Sequence, residues 1–171
     1  MRLFAFLVSC LWLVGCEASS STNNQQVLQN LIERSAHTVA IGQNMVRFSY
    51  LCDTHRVKEM DQVFTPNCFI NLPDKGFQNL HGVDQFIKNF PKYANYNFQH
   101  VTSPPVVDLD DSMTTAHATT LVIATVFDSF NTSKARPEEV EYGSYITDHV
   151  LTKAGWRIQN MTVSTFGEWD S

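Results

Sequence analysis

The feature that most constrains this chain is a change of hydrophobic period part-way along it. From Val27 to Cys52, apolar residues recur at three- and four-residue intervals, first as Val27, Leu28, Leu31 and Ile32 and then as Val39, Ile41, Met45, Phe48 and Cys52. That is the spacing of one helix face, with His37 and Gly42 as points where the helix could divide in two. Val57, Met60, Val63 and Phe64 suggest a short second helix that stops at Thr65-Pro66-Asn67, because proline disfavours helix in the residue before it. Two short strand-like runs, 68–72 and 76–80, flank the turn Pro73-Asp74-Lys75-Gly76, and a third helix from Val83 to Phe90 ends at Pro91. Beyond it lie four long β runs, roughly 98–109, 113–128, 139–152 and 156–166, with tight turns at Asp110-Asp111 and Ala154-Gly155 and a polar loop at 129–138. Helices first and long antiparallel strands afterwards imply one α+β domain, with about three N-terminal helices packed on one face of a curved antiparallel sheet.

The first sixteen residues read differently. Arg2 precedes an uncharged, mostly apolar run from Leu3 to Val14, which ends in Leu13-Val14-Gly15-Cys16. The run is too short to span a bilayer as a helix and has the length of a signal-peptide hydrophobic region. A buried N-terminal helix or strand is disfavoured by the polar stretch Glu17 to Gln26 that follows. The last four residues resemble a bacterial lipobox, which directs lipid attachment to the cysteine thiol and cleavage just before it. The resemblance implies a lipoprotein signal peptide at 1–15, an acylated Cys16, a flexible tether over 16–26 and a folded domain over 27–171. It also implies location in the cell envelope, lipid-anchored on the periplasmic or extracellular face, since two or more acyl chains anchor firmly.

The remainder is one domain's length. The formal net charge is −5, with acids and bases interspersed and no basic cluster, which argues against a nucleic-acid partner. Of the four cysteines, Cys10 leaves with the signal and Cys16 carries lipid, so Cys52 and Cys68 remain. An oxidising compartment permits a disulfide between them, and two buried free thiols fit the sequence equally well. Neither has a second Cys or a His at a zinc-ligand interval, and no metal or cofactor is expected. There is no Gly-rich phosphate loop and no Gly-x-Ser-x-Gly elbow.

Several short motifs recur in a particular order. They are Arg47-Phe48 with Asp53 after them, Phe64-Thr65-Pro66, Gly82-Val83-Asp84-Gln85-Phe86-Ile87, Gln99-His100-Val101-Thr102, Val106-Val107-Asp108-Leu109-Asp110, Tyr145 and Gly155-Trp156-Arg157-Ile158. Together they resemble the SnoaL-like branch of the nuclear-transport-factor-two-like superfamily, cone-shaped α+β domains that include scytalone dehydratases, polyketide cyclases and ketosteroid isomerase relatives. The resemblance covers about Thr38 to Phe166 and implies a cone whose interior is a small-molecule pocket. One such fold hosts many activities.

In scytalone-dehydratase-like members, an Asp at the end of the first long helix meets a His from the sheet, and the pair handles protons. Asp53 and His100 match those positions. A carboxylate that orients an imidazole titrating near neutrality can remove a proton beside a carbonyl or protonate a leaving hydroxyl. The plainer reading is a helix-end carboxylate and a sheet histidine, each satisfied locally. Tyr145 matches a polar pocket position or is an ordinary strand aromatic. Tyr50 could point to the cone mouth or pack on the sheet. His117 would line the cavity with Thr119 and Leu121 if odd-numbered residues of its strand face inward. His55, His81 and His149 read as loop, cap and surface residues.

The lining expected from the pattern is Phe48, Phe69, Val101, Leu121, Ile123 and Met161. Cys52 and Leu72 stand where the dehydratases have two tyrosines that hold a catalytic water, so scytalone itself is not the expected substrate. The resemblance implies a cofactor-free lyase (dehydratase) or isomerase acting on a small apolar hydroxy- or keto-compound. The alternative is a non-catalytic envelope lipoprotein whose cone binds a ligand or a protein partner. A homodimer formed through the sheet is expected by analogy.

Overall fold

In a computed structural model of the chain, backbone is described for residues 3–73, 76–93, 96–127 and 137–170. Side chains before Asn23 lie outside the described residues, and with them the expected export signal and the expected acylation site at Cys16. Half of the turn at 73–76 and most of the loop at 129–138 lie outside them as well. The chain divides into two compact units, Met1–His37 and Thr38–Ser171. Among its described residues the first is helical, being the leading part of α1 (Leu3–Asp53). Residues 16–26, expected as a tether, have helical backbone here, and no Gly or Pro interrupts the chain between Cys16 and Gly42. Val27, Leu28, Leu31 and Ile32, expected to face the core, are each more than half exposed. Among the described residues, no helix is long and apolar enough to cross a membrane.

The second unit opens with the remaining turns of α1, which pass Gly42 unbroken, contrary to the division expected near it. Ile41, Met45, Phe48 and Cys52 recur at helical spacing, and all four are buried. Asn44 sits among them and donates from its side-chain amide to the carbonyls of Val63 (3.1 Å), in the turn before the first strand, and of Trp156 (3.2 Å), on the last strand, so a buried polar group is satisfied and ties the helix to both. After Asp53 the chain reverses. His55 takes φ 56°, and the Arg56 N–H reaches back to the Leu51 carbonyl at 2.8 Å, as at many helix C-termini.

The expected second helix is only a 3₁₀ turn, Val57–Gln62, with Val57 and Met60 buried three residues apart. Phe64, expected to end that helix, begins β1 (Phe64–Leu72). Then follow β2 (Phe77–His81), α2 (Val83–Asn89), a 3₁₀ turn at Phe90–Tyr93, β3 (Asn97–Thr102), β4 (Val106–Leu109), β5 (Thr115–Phe127), β6 (Pro137–Thr152) and β7 (Gly155–Asp170). The single strand expected over 98–109 divides at Ser103-Pro104-Pro105, where two consecutive prolines remove ladder donors.

These strands form one curved, unclosed seven-stranded sheet in the order β2-β1-β7-β6-β5-β3, with β4 pairing further along β5. The α+β class is as expected, with one refinement: β1 and β7 pair in parallel, while every other pair is antiparallel. β1 and β7 are distant in sequence, so no short turn imposes an antiparallel arrangement on them. Along β5 the buried positions are Ala116, Ala118, Thr120, Val122 and Val126, so even-numbered residues face inward. On β7 the register against β6 slips between Asn160 and Ile158. This bulge moves the buried parity from Trp156 and Ile158 to Met161. A second slip, at Tyr142/Gly143, brings β7 so close that a Cβ on Gly143 would lie 2.7 Å from the Ser164 carbonyl oxygen.

The main core gathers Phe48, Met60, Phe64, Ile70, Phe86 and Met161. A smaller cluster joins Ile41, Ala116, Ala118 and Trp156. His149, paired across the ladder from Ala116, is only 1 % exposed rather than on the surface as expected. Its Nε2 is 2.9 Å from the Thr147 hydroxyl, while Nδ1 has no hydrogen-bond partner among the described residues. Burial holds its pKa down at about 4, against the modest opposing pull of Asp148. The unfolded chain therefore binds one more proton than the fold between about pH 6.5 and 4, and stability falls as pH drops through that window. Urea unfolding at pH 7 and pH 4.5 should show a loss of about 2–3 kcal/mol from this residue. His149→Gln should flatten that part of the pH dependence.

Candidate active site

The end of α1 and the middle of β3 meet inside the second unit. Asp53, the last residue of α1, places Oδ1 2.5 Å from His100 Nδ1 and accepts the His100 main-chain N–H on Oδ2 at 3.0 Å. One carboxylate thus holds both the backbone and the ring of one residue. The pair is largely enclosed, with side-chain exposures of 23 % for Asp53 and 10 % for His100. A carboxylate accepts from a protonated Nδ1, so in the neutral ring the lone pair sits on Nε2, the nitrogen left for a ligand.

His100 lines a cavity with Phe48, Cys52, Leu72, Phe77, Phe86 and Phe90, and with Phe98, Ala124, Val126, Glu141, Tyr145, Val163 and Thr165. Its empty space is about 660 Å³, solvent at the mouth included. The rings pack closely: Tyr145 meets Phe48 edge-on at 5.5 Å between centroids, and Phe77 lies 4.9 Å from Phe86. The Tyr145 ring is 6.5 Å from that of His100. Burial, then the nearby Cys52, Glu141 and Asp53, pushes the Tyr145 phenol well above its ordinary pKa. Burial and Asp53 do the same to the Cys52 thiol. Both groups stay neutral, and Tyr145 remains a possible donor. Cys52 and Cys68 are free buried thiols with no disulfide between them.

The other expected site residues divide cleanly. Phe48 and Tyr145 line the cavity with His100. Tyr50 does not: it is 50 % exposed on the outside of α1, with the Arg56 guanidinium 5.7 Å above its ring and 3.3 Å from its hydroxyl. His117 is on the outer face of β5, where its Nδ1 lies 2.8 Å from Asp148, which also accepts from Asn160. Even-numbered residues of β5 face inward, so Leu121 and Ile123 point out as well, and Val101 is paired beside Ile123 on the same outer surface. Phe69 is on the outer side of β1 against His81, and Met161 is buried in the core without lining the cavity. Among the described residues no group of three or more His, Cys, Asp or Glu could hold a metal ion.

Sequence reasoning missed Phe77, Phe86, Phe90, Phe98 and Glu141. Glu141 was the most findable, since it is four residues before Tyr145 on one strand and so on the same face.

The SnoaL-like domain model matches residues 33–162. The chain belongs to the SnoaL-like family. Solved structures agree at the level of fold. A candidate scytalone dehydratase from Novosphingobium aromaticivorans is 23 % identical with a TM-score of 0.66, over 83 % of this chain and 89 % of that one. A nuclear transport factor 2-like superfamily protein from Salmonella enterica is 17 % identical with a TM-score of 0.63, over 77 % and 92 %. The hexachlorocyclohexane dehydrochlorinase LinA-type3 from Novosphingobium barchaimii is 10 % identical with a TM-score of 0.65, over 82 % and 93 %. No curated protein matches in sequence.

For this SnoaL-like chain, the two oxygens of Asp53 predict unequal mutants. Asp53→Ala strips the His100 main-chain N–H of its acceptor and should cost about 1–3 kcal/mol in urea unfolding. His100→Ala keeps that main-chain bond and should cost clearly less.

Proposed function

We propose that this chain moves a proton on a small, largely apolar hydroxy- or keto-compound, as a cofactor-independent dehydratase or isomerase. The observation that carries this reading is the Asp53-clamped imidazole of His100 in an aromatic-lined cavity. In the dehydratase form, Nε2 takes the proton from a carbon beside a carbonyl. The imidazolium, held by Asp53, then returns that proton to the departing hydroxyl, so that water leaves and a double bond forms. In the isomerase form the proton returns to a different carbon. The likeness to a candidate scytalone dehydratase and to a dehydrochlorinase is consistent with such chemistry.

A second reading is favoured by one observation. Cys52 and Leu72, at the positions where the dehydratases carry their water-holding tyrosines, both line the cavity and offer no hydroxyl. On that reading the cavity binds a ligand or a partner protein without turning anything over.

The chain acts at the cell envelope in this proposal, exported by residues 1–15 and anchored through acylated Cys16, with Arg2 and the apolar run before Cys16 as support. A homodimer would use the outer sheet face, where Val101, Ile123 and Tyr142 form one exposed apolar row across β3, β5 and β6.

Deuterium uptake at the α-carbons of 2-indanone in D₂O, followed by NMR against a buffer blank, separates the two functional readings. The enzyme should accelerate uptake, and His100→Ala should lower the rate by roughly a hundred- to ten-thousand-fold. Saturable binding with uptake equal to the blank would favour the binding module.

A further inference from the structure

His100 on β3, Ala124 on β5 and Glu141 on β6 are register partners in one row across three adjacent strands. All three line the cavity. The small side chain of Ala124 lies between them in the row, with the imidazole on one side of it and the carboxylate on the other. The backbones of His100 and Glu141 are two strand spacings apart, about 9–10 Å, the length of a bicyclic ring system with a substituent at each end. Around this row the wall is apolar, with Phe90, Phe98, Val126 and Val163. Asp53 is committed to His100 through both oxygens; Glu141 is the carboxylate in the cavity lining, and its register partner on β7, the exposed Glu168, continues the row outside that lining. A carboxylate accepts several hydrogen bonds at once, so its contacts within the protein leave capacity for a donor from a ligand.

We infer that Glu141 is a specificity-determining residue, which selects ligands carrying a hydroxyl at the end remote from the carbon on which His100 acts. This inference rests on the proton-transfer reading of the same site and adds a substrate class to it: a flat, ring-sized ketone or alcohol with a second hydroxyl across the ring. A hydroxyl there donates to the Glu141 carboxylate while the opposite end lies against Nε2 of His100. A hydrocarbon edge in the same place leaves that carboxylate without the ligand's bond, and the analogue is rejected.

The test uses the full chain and a matched pair of probes, 2-indanone and 5-hydroxy-2-indanone, with dissociation constants and α-deuterium uptake measured for each. The wild type should prefer the hydroxylated ketone by about tenfold or more, as a hydrogen bond to a charged acceptor allows. Glu141→Leu should bring the ratio close to one. Glu141→Gln keeps a neutral acceptor in the same shape and should retain part of the preference, and it serves if the Leu variant does not fold. A ratio unchanged in both variants while uptake continues would overturn this inference and leave the proton-transfer reading standing. Absence of binding and uptake with both ketones would overturn that reading and this inference together.

Discussion

The site depends on one carboxylate making two bonds to one residue. Asp53 comes from the last turn of a long helix and His100 from a strand on the far side of the sequence, and nothing local holds them together. By taking the His100 main-chain N–H on one oxygen and the ring on the other, Asp53 fixes strand position and side-chain orientation at once. Hydrogen bonds to a charged acceptor are the stronger kind. Removing the acceptor strands a partly buried N–H as well as releasing the ring, so folding and chemistry draw on the same contact.

Around that contact the cavity is a product of parity. On β5 the even-numbered side chains face inward, on β6 the odd-numbered ones, and on β7 a bulge shifts the inward set from Trp156 and Ile158 to Met161. A strand's two faces are separated by a single residue in register. The opening beside His100 therefore follows from the small Ala124 lying inward, where a larger inward residue would fill it. The floor left by Cys52 and Leu72 is apolar, and the neutral phenol of Tyr145 and the carboxylate of Glu141 are polar groups within that wall.

Much of this was legible in the amino-acid order, and the failures have physical causes. Helical spacing from Ile41 to Cys52, the turn at Gly155 and the order of helices before strands carried the fold class. Asp53 and His100 were legible only through resemblance, because the contact between them spans 47 residues and no local period encodes it. Parity was not legible on β5, where Thr119, Leu121 and Ile123 alternate with Thr120, Val122 and Ala124 and both faces read as apolar. That ambiguity put His117, Leu121 and Ile123 on the wrong side. Tyr50 misled because helical phase alone does not reveal that Arg56, after the chain reversal at His55, folds back over its ring. His149 misled in the other direction, since a histidine in a run ending a strand looks solvent-facing until its neighbour across the ladder is known to be Ala116.

The chemistry attributed to the pair requires one protonation pattern: Nδ1 carrying hydrogen toward Asp53 and Nε2 bare toward the cavity. Long-range ¹H–¹⁵N NMR on ¹⁵N-histidine-labelled protein, at a pH where the His100 ring is neutral, reads that pattern directly, with His100→Gln identifying the signal. A protonated Nδ1 with an unprotonated Nε2, lost in Asp53→Ala, is the result expected from this geometry. A protonated Nε2 with a bare Nδ1, unchanged by Asp53→Ala, would mean that the carboxylate does not orient the ring and that the proposed base is aimed the wrong way.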